Sequence, residues 1–363
     1  MITRAKTATT AALLAAGAVA LGSAAASGAG PATSQQATVT LKLGYVTTAA
    51  HPYGLAVNAY IQKVKELSGG RIVITGQPNY PQAETQLLSD VRSGTEDMGT
   101  ISTAIWDSAG IKSFQALQAP MLITNYTLEG KVLRGRIGKQ MIAAASAKAG
   151  DVKVLAIHEG GLRKPLGVKP VNTFKSFQGL KIRTAQSRVQ QLSMKALGAD
   201  PNAIPLPEVY QGLQNGTFDA MEANLGLIFT NKYYEVAKYV TANINLWPFP
   251  TALTINKAKF NSLSAADQKV LTDAASQLAD TSLSIVSAPS VLPQKLVNCG
   301  VQFLKASPSD LKKFGKAADK GIALLSRDKT NAKFITAIQK LKAKTKAPTP
   351  DPLPTTATGS CGS

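Results

Sequence analysis

Two stretches of this chain alternate strand and helix, and that alternation limits the fold more than any other feature. In the first, Val39, Leu41, Leu43 and Tyr45 alternate with Thr40, Lys42 and Gly44, which predicts a strand. A helix follows, with Val57, Tyr60, Ile61, Val64 and Leu67 on one face, and Gly69-Gly70 stops it. Arg71 to Thr75 is a second strand, Gln82 to Val91 a second helix ended by Ser93-Gly94, and Asp97 to Ser102 a third strand. This β-α-β-α-β order demands a parallel sheet with crossover helices. The second stretch, Gly179 to Asn224, reads as strand, helix, loop, helix, strand. A chain of 363 residues is long for a single α/β domain, so two lobes are expected. Val152 to Ile157 is a further strand. Trp247 to Asn256 then forms a strand of the first lobe.

The ends read differently. Arg4 and Lys6 precede an apolar run from Ala11 to Leu21, and Ala24-Ala25-Ala26 supplies a small-residue cleavage site. This is the pattern of an export signal over residues 1–26, and the apolar run is short for a membrane span. Residues 27–36 are poor in apolar side chains and read as a flexible mature N-terminus. No cysteine stands near the cleavage site, so no lipid anchor is expected. In an exported chain the two cysteines, Cys299 and Cys361, are expected to pair, and they would pin a Pro/Thr-rich tail over residues 347–363; two unpaired thiols are the alternative. Toward the C-terminus the chain is mostly helical. Ser264-Ala265-Ala266-Asp267 opens a helix reaching about Cys299, which Pro289 kinks or splits, and Ser307-Pro308-Ser309-Asp310 opens another.

The Gly179–Asn224 stretch also carries a resemblance. Gly179-Leu180-Lys181-Ile182-Arg183, Leu197-Gly198-Ala199-Asp200-Pro201 and the run from Glu208 to Glu222 match the pattern G-L-K-x-R, L-G-A-x-P, E-V-Y-x-x-L-Q-x-G-x-x-D-[GA]-x-E. The same resemblance extends to His51-Pro52 after the first strand, Gly70-Arg71-Ile72, Gly94 to Met98, and Ala119-Pro120-Met121-Leu122. The chain resembles the DctP-like solute-binding proteins of TRAP transporters. That resemblance implies a two-lobed α/β fold like that of periplasmic binding proteins, each lobe a mixed, mostly parallel sheet flanked by helices, with a long helix spanning both lobes. Lobe I would be residues 37–160 plus 250–288, and lobe II residues 161–249 plus 289–346, with the two chain crossings typical of such proteins near Glu159 to Gly161 and near Trp247 to Thr251. It implies capture of a small organic carboxylate in the cleft, and delivery to membrane permease subunits driven by an ion gradient. A monomer is expected, with no cofactor.

Arg183 ends the strand LKIR, and ligands of open α/β sheets bind outside the carboxyl ends of strands. Its planar fork suits a carboxylate, though spacing alone leaves a surface arginine or an ion pair equally open. The resemblance assigns it the ligand carboxylate. Arg163, after the first crossing, reads either as a second anion contact or as an ion pair at the hinge. Glu222 and Asn224 follow the strand Thr217 to Met221 and are candidates beside it. Ala223 stands where the family has Asn or Trp, a departure that bears on ligand class. Tyr53, Trp106, Trp247 and Phe249 are candidate pocket walls, with core or hinge packing the ordinary reading of each. His51 and His158 stand in no metal-ligand spacing, and no metal is expected.

Composition narrows the alternatives. Net charge is +19 and lysines crowd the C-terminal part, from Lys305 to Lys346. Solvated helix faces explain them; a polyanion- or cell-surface-binding protein is the functional alternative. Nucleic-acid binding is disfavoured, because aromatics are only 6% and no basic-aromatic module is visible. No nucleophile elbow or P-loop is present, so a secreted hydrolase is the weaker alternative and no enzyme is expected.

Overall fold

A computed structural model describes residues 38–288, 290–349 and 353–361. The expected export signal and flexible N-terminus, residues 1–26 and 27–36, lie outside the described residues, as does Pro289. Among the described residues eleven strands form two sheets and thirteen α-helices are present. The first takes β1 (Val39–Gly44), β2 (Ile72–Gln77), β3 (Met98–Ser102), β4 (Val152–Glu159) and β10 (Pro250–Asn256) in the order β2-β1-β3-β10-β4. The second takes β5 (Lys164–Gly167), β6 (Lys181–Thr184), β7 (Asp200–Ala203), β8 (Ala220–Ala223), β9 (Tyr239–Thr241) and β11 (Gln302–Leu304) in the order β11-β9-β5-β8-β6-β7. The thirteen helices are α1 (Pro52–Leu67), α2 (Glu84–Ser93), α3 (Tyr126–Arg134), α4 (Arg136–Ala149), α5 (Arg188–Ala196), α6 (Val209–Gln214), α7 (Leu225–Thr230), α8 (Lys257–Ser262), α9 (Ala265–Ser276), α10 (Leu278–Ser287), α11 (Leu292–Asn298), α12 (Pro308–Leu325) and α13 (Lys329–Ala343). The protein is an α/β molecule of two lobes.

In the first sheet β1 pairs in parallel with β2 and β3, as right-handed βαβ crossovers require. Leu41 and Leu43 point into the core while Thr40 and Lys42 face solvent. Helix α1 starts at Pro52 with His51 as N-cap, its Nδ1 accepting from the Tyr53 N–H at 3.1 Å. β10 runs antiparallel between β3 and β4, because it enters from the other lobe. Every residue of it is buried, as a central strand covered on both faces should be.

Three strands of the second sheet were not expected from the sequence. β9 and β11 have three residues each, too short to show a period. β7 contains Pro201 and reads as a loop, yet it pairs in parallel with β6. It is tolerated because β7 is the edge strand, where a missing N–H breaks no ladder. β8 begins at Ala220, so the expected strand at Thr217 to Met221 sits about three residues late and takes Glu222 inside it.

The expected long helix is divided. Residues 265–298 form α9, α10 and α11, with a first break at Gln277, whose N–H turns back to the Ala274 carbonyl at 3.3 Å. α9 and α10 pack on α1 and β4 of the first lobe; α12, the longest described helix, packs on α5 of the second. Cys299 and Cys361 are joined in a disulfide, which ties residues 353–361 to α11. Among the described residues no helix is long and apolar enough to cross a membrane.

The two crossings form a ribbon. The Arg163 N–H donates to the Trp247 carbonyl, and the Leu246 N–H to the Arg163 carbonyl, both at 2.8 Å; the Gly160 N–H reaches the Phe249 carbonyl at 3.2 Å. Glu159 Oε1 accepts from the N–H groups of Gly161 and Phe249, so one carboxyl clasps both crossings. Gly161 has φ 121°, and a Cβ there would lie 2.9 Å from Asn224 Cβ, so glycine is required.

Candidate anion site between the lobes

β6 and β8 lie side by side in parallel, with Arg183 paired to Met221. The Arg183 guanidinium nevertheless ends beside Glu222, one residue further along β8. Arg163, one residue ahead of β5, reaches the same carboxylate from the other side, because β5 flanks β8 with Pro165 opposite Glu222. Arg163 Nε donates to Glu222 Oε2 and Nη2 to the Glu222 carbonyl at 2.7 Å. Its guanidinium lies 4.6 Å over the Phe249 ring, a cation–π contact. Arg183 Nε donates to the Ile204 carbonyl at 2.9 Å, and Nη1 stands 3.6 Å from Glu222 Oε1. Arg163, Arg183 and Glu222 are 1%, 3% and 1% exposed, so none is a surface charge.

Two buried guanidiniums thus share one carboxylate, and their hydrogen-bonding capacity is incomplete. Arg163 Nη1 and Glu222 Oε1 are buried with no hydrogen bond, and among the described residues none reaches Nη1 or Nη2 of Arg183. Burial holds the Arg183 guanidinium below its usual range; Glu222 opposes that shift and Arg163 adds to it. Buried donors left open are rare in folded proteins and point to a partner.

Glu84 joins this centre, and the sequence reading missed it. It is the first residue of α2, half-buried, and its Oε1 accepts from the Ser102 N–H at the carboxyl end of β3. Burial pushes its carboxyl up to about 7, against the Ser102 bond and the attraction of Arg183 and Arg163. An acid in a helix's first turn is ordinary, so its sequence position gave no signal.

The remaining candidates are placed as follows. Asn224 caps α7: its Oδ1 accepts from the Leu227 N–H at 2.7 Å and meets His51 Nε2 at 3.0 Å, and its Nδ2 donates to the Gly160 carbonyl at 2.9 Å. Its amide is engaged in joining α7, the hinge and α1. Tyr53 is buried, its hydroxyl bonded to the Thr100 carbonyl and Oγ1, its ring edge-on to His158 at 5.0 Å. Trp106 is fully buried in the first lobe's core, edge-on to Phe114 at 5.3 Å, and Trp247 in the second lobe's core beside the hinge. Both indole N–H groups lack a hydrogen bond. The geometry therefore gathers Arg163, Arg183 and Glu222, adds Glu84, and leaves the two tryptophans in packed cores. Ala223 lies in the second lobe's core with Leu166, Met221 and Val240, on the strand face opposite Glu222. Among the described residues no group of three or more His, Cys, Asp or Glu side chains could hold a metal ion.

Comparisons with known proteins agree with this architecture. The model of the bacterial extracellular solute-binding protein family 7, DctP, matches residues 43–326. The 2,3-diketo-L-gulonate-binding periplasmic protein YiaO of Escherichia coli is 30% identical over 258 residues, covering 70% of this chain and 77% of that protein. The C4-dicarboxylate-binding periplasmic protein DctP of Rhodobacter capsulatus is 27% identical over 228 residues, 62% of this chain and 68% of that one. The crystal structure of the sugar acid binding protein DctPAm from Advenella mimigardefordensis, in complex with galactonate, superposes with a TM-score of 0.79 at 24% identity, covering 85% of this chain and 99% of that one. The chain belongs to family 7 of the bacterial extracellular solute-binding proteins, the DctP family that serves TRAP transporters.

Proposed function

We propose that the protein holds a small organic carboxylate between Arg183 and Arg163 and passes it to the membrane subunits of a TRAP-type permease. One observation carries this: two buried guanidiniums share a single carboxylate and keep open donors on both. With the Glu84 carboxyl pushed toward its neutral form by burial, two positive charges against Glu222 leave the place of one anion. Each charge-assisted hydrogen bond to it contributes about 1.5–3 kcal/mol. Three such bonds supply a large part of the ~8 kcal/mol behind micromolar binding. Supporting this, YiaO is named for 2,3-diketo-L-gulonate and its Rhodobacter relative for C4-dicarboxylates, both organic acids.

A site this buried is entered only when the lobes part. We take residues 37–160 with 250–288 as one lobe and 161–249 with 289–346 as the other, moving about the ribbon at Gly160-Gly161 and Trp247–Phe249. Closure removes water from the ion pairs and strengthens them. Residues 1–26 direct export, cleavage falls near Ala26, and the mature chain works outside the cytoplasm as a monomer. It returns its ligand unchanged and is no enzyme. The test is a thermal-shift screen of the mature protein against dicarboxylates, keto acids, sugar acids, aromatic acids and amino acids. A ligand of the folded state raises the melting temperature. The proposal expects a hit that disappears in Arg183→Ala; no hit, or one that survives the substitution, overturns it.

A further inference from the structure

We infer that the site selects monocarboxylates bearing a hydroxyl at their far end over dicarboxylates of the same length, and that Glu84 makes the selection. This rests on the carboxylate reading above. The argument is a count of charges and open atoms. Arg163 is committed to Glu222 twice, through Nε to the carboxylate and Nη2 to the carbonyl, so that pair is neutral. Arg183 is the remaining positive charge, enough for one ligand carboxylate. Glu84 opens α2 on the other lobe, where its neighbour Thr85 donates to Gln186 Oε1, two residues beyond the end of β6, at 3.4 Å. The same two arginines act on Glu84 and oppose its upward shift. Its Oε1 is taken by the Ser102 N–H, whereas no hydrogen bond reaches Oε2 among the described residues.

A ligand whose carboxylate meets Arg183 therefore presents its opposite end to an acidic acceptor. A hydroxyl there donates to Oε2. A second carboxylate there meets a like charge with no further cation to balance it.

The experiment uses matched acids that differ only in the terminal group: erythronate against tartrate, gluconate against glucarate, galactonate against galactarate. Affinities are measured by calorimetry at pH 8, where Glu84 is mostly ionised, for the wild type, Glu84→Gln and Arg183→Ala. In whichever pair binds, the inference expects the monocarboxylate at least tenfold tighter in the wild type. It expects Glu84→Gln, which keeps shape and removes the charge, to narrow that ratio to less than threefold mainly by tightening the dicarboxylate. Glu84→Ala serves as a second variant and should weaken the monocarboxylate. A wild-type preference for the dicarboxylate, or a ratio unchanged in Glu84→Gln, with binding still lost in Arg183→Ala, overturns this inference alone. Binding of neither class, or binding indifferent to Arg183→Ala, overturns the carboxylate reading and this inference with it.

Discussion

Glu222 is the hinge of the electrostatic account, and replacing it should be expensive. In Glu222→Gln the Arg163 and Arg183 guanidiniums face each other, buried, with no carboxylate between them. At the 3.6 Å separation of Arg183 Nη1 from Glu222 Oε1, opposite unit charges attract by about 5 kcal/mol at an effective dielectric constant of about 20. Part of that offsets the cost of burying the charges, and removing one partner of a buried pair costs about 3–5 kcal/mol net. Thermal denaturation followed by circular dichroism, without ligand at neutral pH, should therefore show a fall in Tm of roughly 4–7 °C for a chain of this length. Arg163→Met removes the opposite partner and should cost a similar amount. The double variant should lose less than the sum by about 2 kcal/mol, because each single change leaves the other charge stranded. Additive losses, or a Glu222→Gln loss under about 1 kcal/mol, would refute the claim that the three side chains form one coupled unit.

Other consequences can be checked separately. Gly161→Ala puts a Cβ against Asn224 at a positive φ and should destabilise the hinge by about 1–3 kcal/mol in chemical denaturation; a neutral result removes the requirement for glycine. Burial lowers His51 to about 4 and His158 to about 3, beneath their unfolded value of 6.5, so their neutral forms stabilise the fold above pH 6.5 and that stability is lost as pH falls toward 4. For His51 the loss approaches about 3 kcal/mol by pH 4, and His158→Gln should flatten the fall of stability between pH 6.5 and 4; an unchanged slope contradicts it. Cys361→Ser opens a bond spanning 62 residues and should lower the unfolding free energy by up to about 4 kcal/mol; a Tm indifferent to reductant speaks against this.

Much of the fold was legible because its signals are local. Alternation at Val39–Tyr45 and the glycine stops after α1 and α2 announce the first βαβ units. The block from Gly179 to Glu222 located Arg183 and Glu222, and the position of Arg163 allowed the ion pair it forms. What stayed hidden depends on tertiary context. β7 carries a proline that only an edge position permits, and β9 and β11 are too short to have a pattern. Glu84 looks like any first-turn acid until β3 and the arginines of the other lobe surround it. Ala223 suggested altered ligand contacts, and its side chain is buried with Leu166, Met221 and Val240. The division of the C-terminal helical run at Gln277 comes from a tightened turn that no proline or glycine marks.

The central claim is that Arg183 binds a ligand carboxylate through a planar fork, and a lysine supplies charge without that fork. The decisive measurement is isothermal titration of the best acid from the ligand screen into wild type, Arg183→Lys and Arg183→Ala, all confirmed folded by circular dichroism. The account predicts a loss of about 1.5–3 kcal/mol, roughly ten- to a hundredfold, even in Arg183→Lys, and a larger loss in Arg183→Ala. Wild-type affinity in Arg183→Lys would contradict the fork, and wild-type affinity in Arg183→Ala would remove Arg183 from the site altogether.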